Sequence, residues 1–233
     1  MNISGNQMPL KRAGKSLKEQ NRWQLWLVVA ANALFLFGVV RDNAIKIDGL
    51  RALFVNANNL LPAGFALVVS IVLNGLLSAE NKARLVFLRW RNALPGHRAF
   101  SEYALSDPRI DVEALTKQYG PTLPADPVKQ NRTWYSIYKT VEKEPAVEQV
   151  HRDFLLLRDY TGLCALFIVS CGPAVLYILP STKIASLYFL ILFLQYIIVR
   201  QAAFNYGVRF VTTVLAQKAA TPEAVRKRKG VAQ

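Results

Sequence analysis

Histidine and cysteine are almost missing from this chain: its 233 residues hold two of each. His97 and His151 lie far apart with no cysteine near either, so no metal-ligand spacing is present. Cys164 and Cys171 share one apolar run. On a helix they would sit about 10 Å apart along the axis, too far for a disulfide within it. They read as small packing residues and say nothing of redox compartment. A phosphate-binding glycine loop, a GxSxG elbow and an HExxH pair are absent too. No catalytic residue, metal or cofactor is therefore expected, and the chain does not read as an enzyme. Ser101-Glu102 and the carboxylates Asp107, Asp111 and Glu113 invite an acid–base reading, but acidic residues near helix starts mostly offset the helix dipole. A lipid-directed enzyme using His97, Glu102 and Asp111 is the remaining catalytic alternative. Acidic residues are also scarce, 15 against 29 Lys and Arg, leaving a formal charge of +14.

Long uncharged runs are what the chain has instead. Residues 23–40, 52–79, 160–182 and 184–199 carry no charge. A bilayer core of about 30 Å needs roughly 20 apolar residues in a helix. The runs predict spans at 23–40, 60–79, 160–179 and 184–204, with Trp23 and Trp26 where interfacial aromatics sit. The first run has too long a leader and core for a cleaved signal peptide, so it reads as an anchor. Of the 29 basic residues, 25 fall in residues 1–22, 80–159 and 200–233, and four fall in the two connections between paired spans. The positive-inside rule then predicts both termini in the cytoplasm. It also accounts for the basic excess without a nucleic-acid partner.

The expected fold is all-α: four transmembrane helices in two antiparallel hairpins (23–79 and 160–204), with a helical cytoplasmic cap on extended stalks (80–159). Basic tails flank them at 1–22 and 205–233. Asp107-Pro108 and Asp126-Pro127 pair a capping residue with proline at a helix start. They predict helices running to about Gln118, stopped by Gly120, and over 127–141. No breaker separates Pro145 from the start of the third apolar run, and none separates the second apolar run from Ala93, so continuous helices are expected from about Pro145 to Leu179 and from the second run to about Ala93. The connection at 41–59 is expected to lie along the outer surface as an amphipathic helix, with Leu50, Leu53 and Phe54 facing the bilayer.

No Asp, Glu, Lys, Arg or His occupies the middle of a span, which argues against an ion-coupled pump or transporter. Uncharged polar residues remain, and Asn32, Asn74 and Gln195 are candidates either for hydrogen-bonded helix packing or for a polar seam in an oligomeric pore. In the cap, Arg98, Arg109, Arg132, Trp134 and Tyr138 are candidates for binding a partner. The aromatic and basic residues of 130–139 could stack on single-stranded nucleic acid. On a helix, however, Trp134, Ile137 and Tyr138 share one face, which favours a core. Arg226, Lys227, Arg228 and Lys229 form a basic cluster suited to anionic lipid headgroups or an acidic partner.

Two stretches carry a resemblance. One is Arg89-Trp90-Arg91-Asn92-Ala93-Leu94-Pro95-Gly96-His97-Arg98-Ala99-Phe100-Ser101 with Asp107-Pro108-Arg109-Ile110-Asp111. The other is Leu123-Pro124-Ala125-Asp126-Pro127 with Trp134-Tyr135, ending in His151-Arg152-Asp153-Phe154-Leu155-Leu156-Leu157-Arg158-Asp159. Over about residues 85–160, and in its four-span layout, the chain resembles bacterial inner-membrane proteins of genomic islands, some beside retron-type phage-defence loci. No catalytic residue transfers with that resemblance. It implies a membrane effector or a membrane-bound subunit of an immune complex, and the expected function is a homo-oligomeric effector of the bacterial inner membrane that senses a signal or cytosolic protein through its cap and perturbs the bilayer in anti-phage defence. The alternative is a non-conducting anchor or sensor subunit that recruits a cytosolic protein.

Overall fold

The computed structural model describes residues 16–48, 68–69, 72–120 and 123–220, and within them every regular element is a helix. The predicted surface helix around Leu50, Leu53 and Phe54, most of the second apolar run and the cluster at 226–229 lie outside the described residues. After a single turn at Leu17–Gln20, closed by a Ser16–Glu19 capping box, the first long helix (α1) spans Arg22–Asp48. Four more follow before the end: α2, Ala79–Phe87; α3, Val112–Tyr119; α4, Pro127–Val141; and α5, Pro145–Ile178. The last, α6, runs Thr182–Ala219. Three of these, α1, α5 and α6, are long and apolar enough to cross a membrane.

Local chemistry sets most boundaries. Asp126 accepts the Lys129 amide and Pro127 opens α4, while Glu144 and Pro145 open α5. Gly120 ends α3 at φ 113°, a conformation that favours glycine. Three expectations shift. Asp107-Pro108 forms a turn instead of a helix start, because the Asp107 carboxylate bonds the Arg109 amide and guanidinium; the cap of α3 is Asp111, which accepts the Ala114 amide. The helix expected to continue from the second run to Ala93 is interrupted at Leu77-Ser78, where Ser78 caps α2 afresh, and it ends at Leu88 with φ 50°. Finally, α6 continues 15 residues past the predicted end at 204, so residues 205–219 are ordered helix rather than tail.

Two apolar clusters result. Antiparallel α5 and α6, joined by a tight turn at Leu179-Pro180-Ser181, pack along their length. Beside that turn they form a cluster with α1, built on Val29, Leu36, Phe167, Val175, Tyr188 and Leu192. Beyond it, the other half of α6 enters a helical head. There Phe210, Val211, Val214 and Leu215 are buried against Val86 and Phe87 of α2, Trp134 and Ile137 of α4, and Val147, Val150 and Phe154 of α5. Gly207 sits where α2 and α5 converge on α6: a Cβ there would lie 2.7 Å from Phe87 Cζ and 2.9 Å from Phe154 Cε2. Gln130 fastens the irregular turns of 95–106 to α4, accepting the Phe100 and Ser101 amides and donating to the Ala125 carbonyl.

Candidate functional site

Charge is buried where the apolar half of the structure meets the head. Asp159, 3% exposed, accepts from Lys82 Nζ at 3.1 Å and from Arg158 Nη2 at 3.1 Å. Lys82 is also buried, and Arg158 is 9% exposed. Removing each ion from water costs several kcal/mol, and the one carboxylate set between two cations offsets part of that cost at close range. Lys82 comes from α2, while Arg158 and Asp159 come from α5. The bridge therefore joins the segment that follows the second apolar run to the helix that enters the third.

Two further contacts lie at this level. Tyr196 Oη donates to the Leu85 carbonyl at 2.9 Å and Arg200 Nη1 to the Val86 carbonyl at 3.2 Å. The last turn of α2 leaves carbonyls without helical partners and carries partial negative charge, and α6 supplies both the donors and a cation. Asn21 Nδ2 donates to the Arg152 carbonyl at 2.7 Å and pins the start of α1 to α5.

On one side the triad borders a cavity of about 260 Å³ lined by Glu19, Arg22, Asn74, Lys82 and Asp159 among others. Asn74 is buried there, its Oδ1 has no hydrogen-bond partner among the described residues, and a Cβ at Gly162 of α5 would lie 2.6 Å from that oxygen. The missing side chain of Gly162 is what admits Asn74. On the other side, Arg158 lines a second cavity, in the head, with Trp134, Tyr138, His151 and Phe210. His151 stacks on Phe210 with ring centres 4.4 Å apart and shares a hydrogen bond with Tyr138 Oη at 3.1 Å. Burial, aided by the Arg158 charge, lowers its pKa from 6.5 to about 4, so the imidazole is neutral at pH 7.

The residues singled out from sequence are distributed among separate environments. Asn32 is buried and donates to the Val28 carbonyl of its own helix. Gln195 donates to Tyr160 Oη across the α5–α6 pair, and Asn74 lies at the triad. No hydrogen bond or cavity recorded among the described residues joins any two of the three. Of the partner-binding candidates, Arg98 and Trp134 are buried. Arg98 is held by the Asn92 carbonyl, Tyr103 and Glu102, and Trp134 packs on Tyr138 and Phe210, so neither is presented to a partner. Arg109 is exposed but bound to Asp107, and that guanidinium holds the Asp107 carboxyl well below the usual carboxylate range. Arg132 is exposed and Tyr138 half-buried. His97, Glu102 and Asp111 serve local structure: a Leu94 carbonyl contact, the Arg98 pair and the α3 cap. Among the described residues no group of three His, Cys, Asp or Glu is placed to hold a metal ion.

Sequence reading passed over Lys82, Arg158 and Asp159. The available signal was two opposite charges, each just outside an uncharged run, and such residues read first as topology markers. No family model, curated protein or solved structure matches the chain.

Proposed function

We propose that the chain is a multi-pass effector of the bacterial inner membrane that receives a signal or partner through a cytoplasmic helical head and perturbs the bilayer. Four uncharged apolar runs support four spans, and the distribution of Lys and Arg supports cytoplasmic termini. Its placement in anti-phage defence follows from the resemblance over residues 85–160. The observation that carries the reading is the junction: α5 and α6 run without interruption from the apolar half into the head, and the Lys82–Asp159–Arg158 group is buried where they cross. A buried ion group is costly to leave half-made, so rearranging the head would move the helices below it in one step.

A second reading, a non-conducting anchor that recruits a cytosolic protein, is favoured by Asn32 and Gln195. Each is already hydrogen-bonded inside the chain rather than turned to a common polar path. The test is membrane potential and dye uptake in bacteria expressing the chain, alone and with its genomic neighbours. The effector reading expects depolarisation that is lost when the head is disrupted by Phe210→Asp in a protein that still inserts. An unchanged potential, with a stoichiometric soluble protein copurifying, selects the anchor.

A further inference from the structure

The head holds a cavity of about 230 Å³ that none of the roles above uses. Its walls are aromatic: Trp134, Tyr138, His151 and Phe210 line it, with Phe210 edge-on to Trp134 at 5.2 Å and to Tyr138 at 5.5 Å. Among the described residues its polar lining is Arg158, the Asn131 amide, the Tyr135 and Tyr138 hydroxyls and His151, with no carboxylate and no second charged group. The hydrogen bonds of Arg158 to Asp159 use Nε and Nη2. An aromatic-walled space with a fixed cation is complementary to a flat molecule bearing a negative charge.

Size narrows the class. A protein cavity of about 150 Å³ accommodates benzene, so this one takes a single ring with one small substituent and excludes a nucleotide.

We propose that this cavity binds a one-ring aromatic anion, a carboxylate or phosphate ester, with its ring against the wall formed by Tyr138, His151 and Phe210 and its charge on Arg158. Treating the ligand as the signal received by the head rests on the function proposed above; binding itself does not. Because Arg158 also holds Asp159, an occupant of the cavity touches the junction directly.

The experiment is calorimetric titration of the full-length protein, purified in detergent, with benzoate, phenyl phosphate and the neutral benzamide at about 1 mM. Saturable binding of benzoate or phenyl phosphate is expected, with benzamide at least about tenfold weaker. Whichever anion binds tighter identifies the carboxylate or the phosphate source. Leu155→Trp, which fills the cavity from α5, should abolish binding. Asn131→Asp, which places a carboxylate in the lining, should weaken both anions about tenfold while leaving benzamide unchanged. The proposal is overturned if neither anion saturates, if benzamide binds equally well, or if both variants bind like the parent. Binding that persists in a protein that never depolarises membranes would retire the effector reading and leave the site standing.

Discussion

The two halves of α6 obey opposite rules. Over residues 182–199 most large apolar side chains face outward, Leu187, Leu190, Leu194 and Ile198 being exposed while Tyr188 and Leu192 pack inward. Over residues 203–215 the apolar side chains turn inward, and Phe210, Val211, Val214 and Leu215 are buried. One helix cannot tolerate both arrangements in one solvent. In water, burial in the head is worth roughly 25 cal/mol per Å² of apolar surface. Against lipid, burying the same groups gains almost nothing, and helices associate through close packing and hydrogen bonds such as Gln195 to Tyr160. The difference teaches that stability in this molecule has two separate sources, with the ion group at the seam between them.

The largest effect is expected at that seam. Asp159→Asn removes the counter-charge shared by Lys82 and Arg158 and should destabilise the head by about 3–5 kcal/mol, read as a lower melting temperature in detergent. Leu190→Arg, in the middle of the outward-facing half, should impair membrane insertion by about 2.5–3.5 kcal/mol. Asn205→Arg, on an exposed face of the head half, should change stability by no more than about 0.5 kcal/mol. Equal tolerance of the two arginines in a membrane-fractionation assay would break the contrast.

Acid separates the halves in another way. The folded head holds His151 neutral, with a pKa near 4 against 6.5 for the free side chain. Protonation therefore favours the unfolded state. The contribution is complete above pH 6.5 and is lost as pH falls toward 4, by about 2 kcal/mol after allowance for partial exposure. His151→Phe should flatten that slope in melts run between those pH values. Gly207→Ala places a methyl group against Phe87 and Phe154 and should cost about 1–3 kcal/mol. Gln195→Leu should cost only about 0.6 kcal/mol, the usual worth of a hydrogen bond between membrane helices.

What could be read from sequence was whatever local chemistry decides. Asp126-Pro127, Glu144-Pro145 and Gly120 mark boundaries within a few residues, and α4, the long α5 and the stop of α3 follow directly from them. The end of α6 does not, because the span expected over 184–204 stops where apolar character gives out, while the helix runs on to Ala219. A charge limits how deep a helix sits in lipid, but it does not end the helix. Asp107 misled for a similar reason: its side chain had a nearer donor in Arg109 than any helix could offer. The site was harder. Lys82 and Asp159 meet only after α2 packs on α5, and the Trp134, His151 and Phe210 cluster draws on three helices. Distant pairings of this kind leave no periodic trace.

Ser78 has a mechanical consequence. An unbroken helix passes twist and tilt along its axis, whereas a residue at φ −62°, ψ 158° between helical segments decouples what lies on either side. Two of the head's attachments, α5 and α6, are thus rods, and the third is a joint. A load on the head is carried by the rods. Past the joint, one helical turn on, the Lys82–Asp159 bridge ties α2 to α5, and before it Asn74 sits against Gly162 of the same helix.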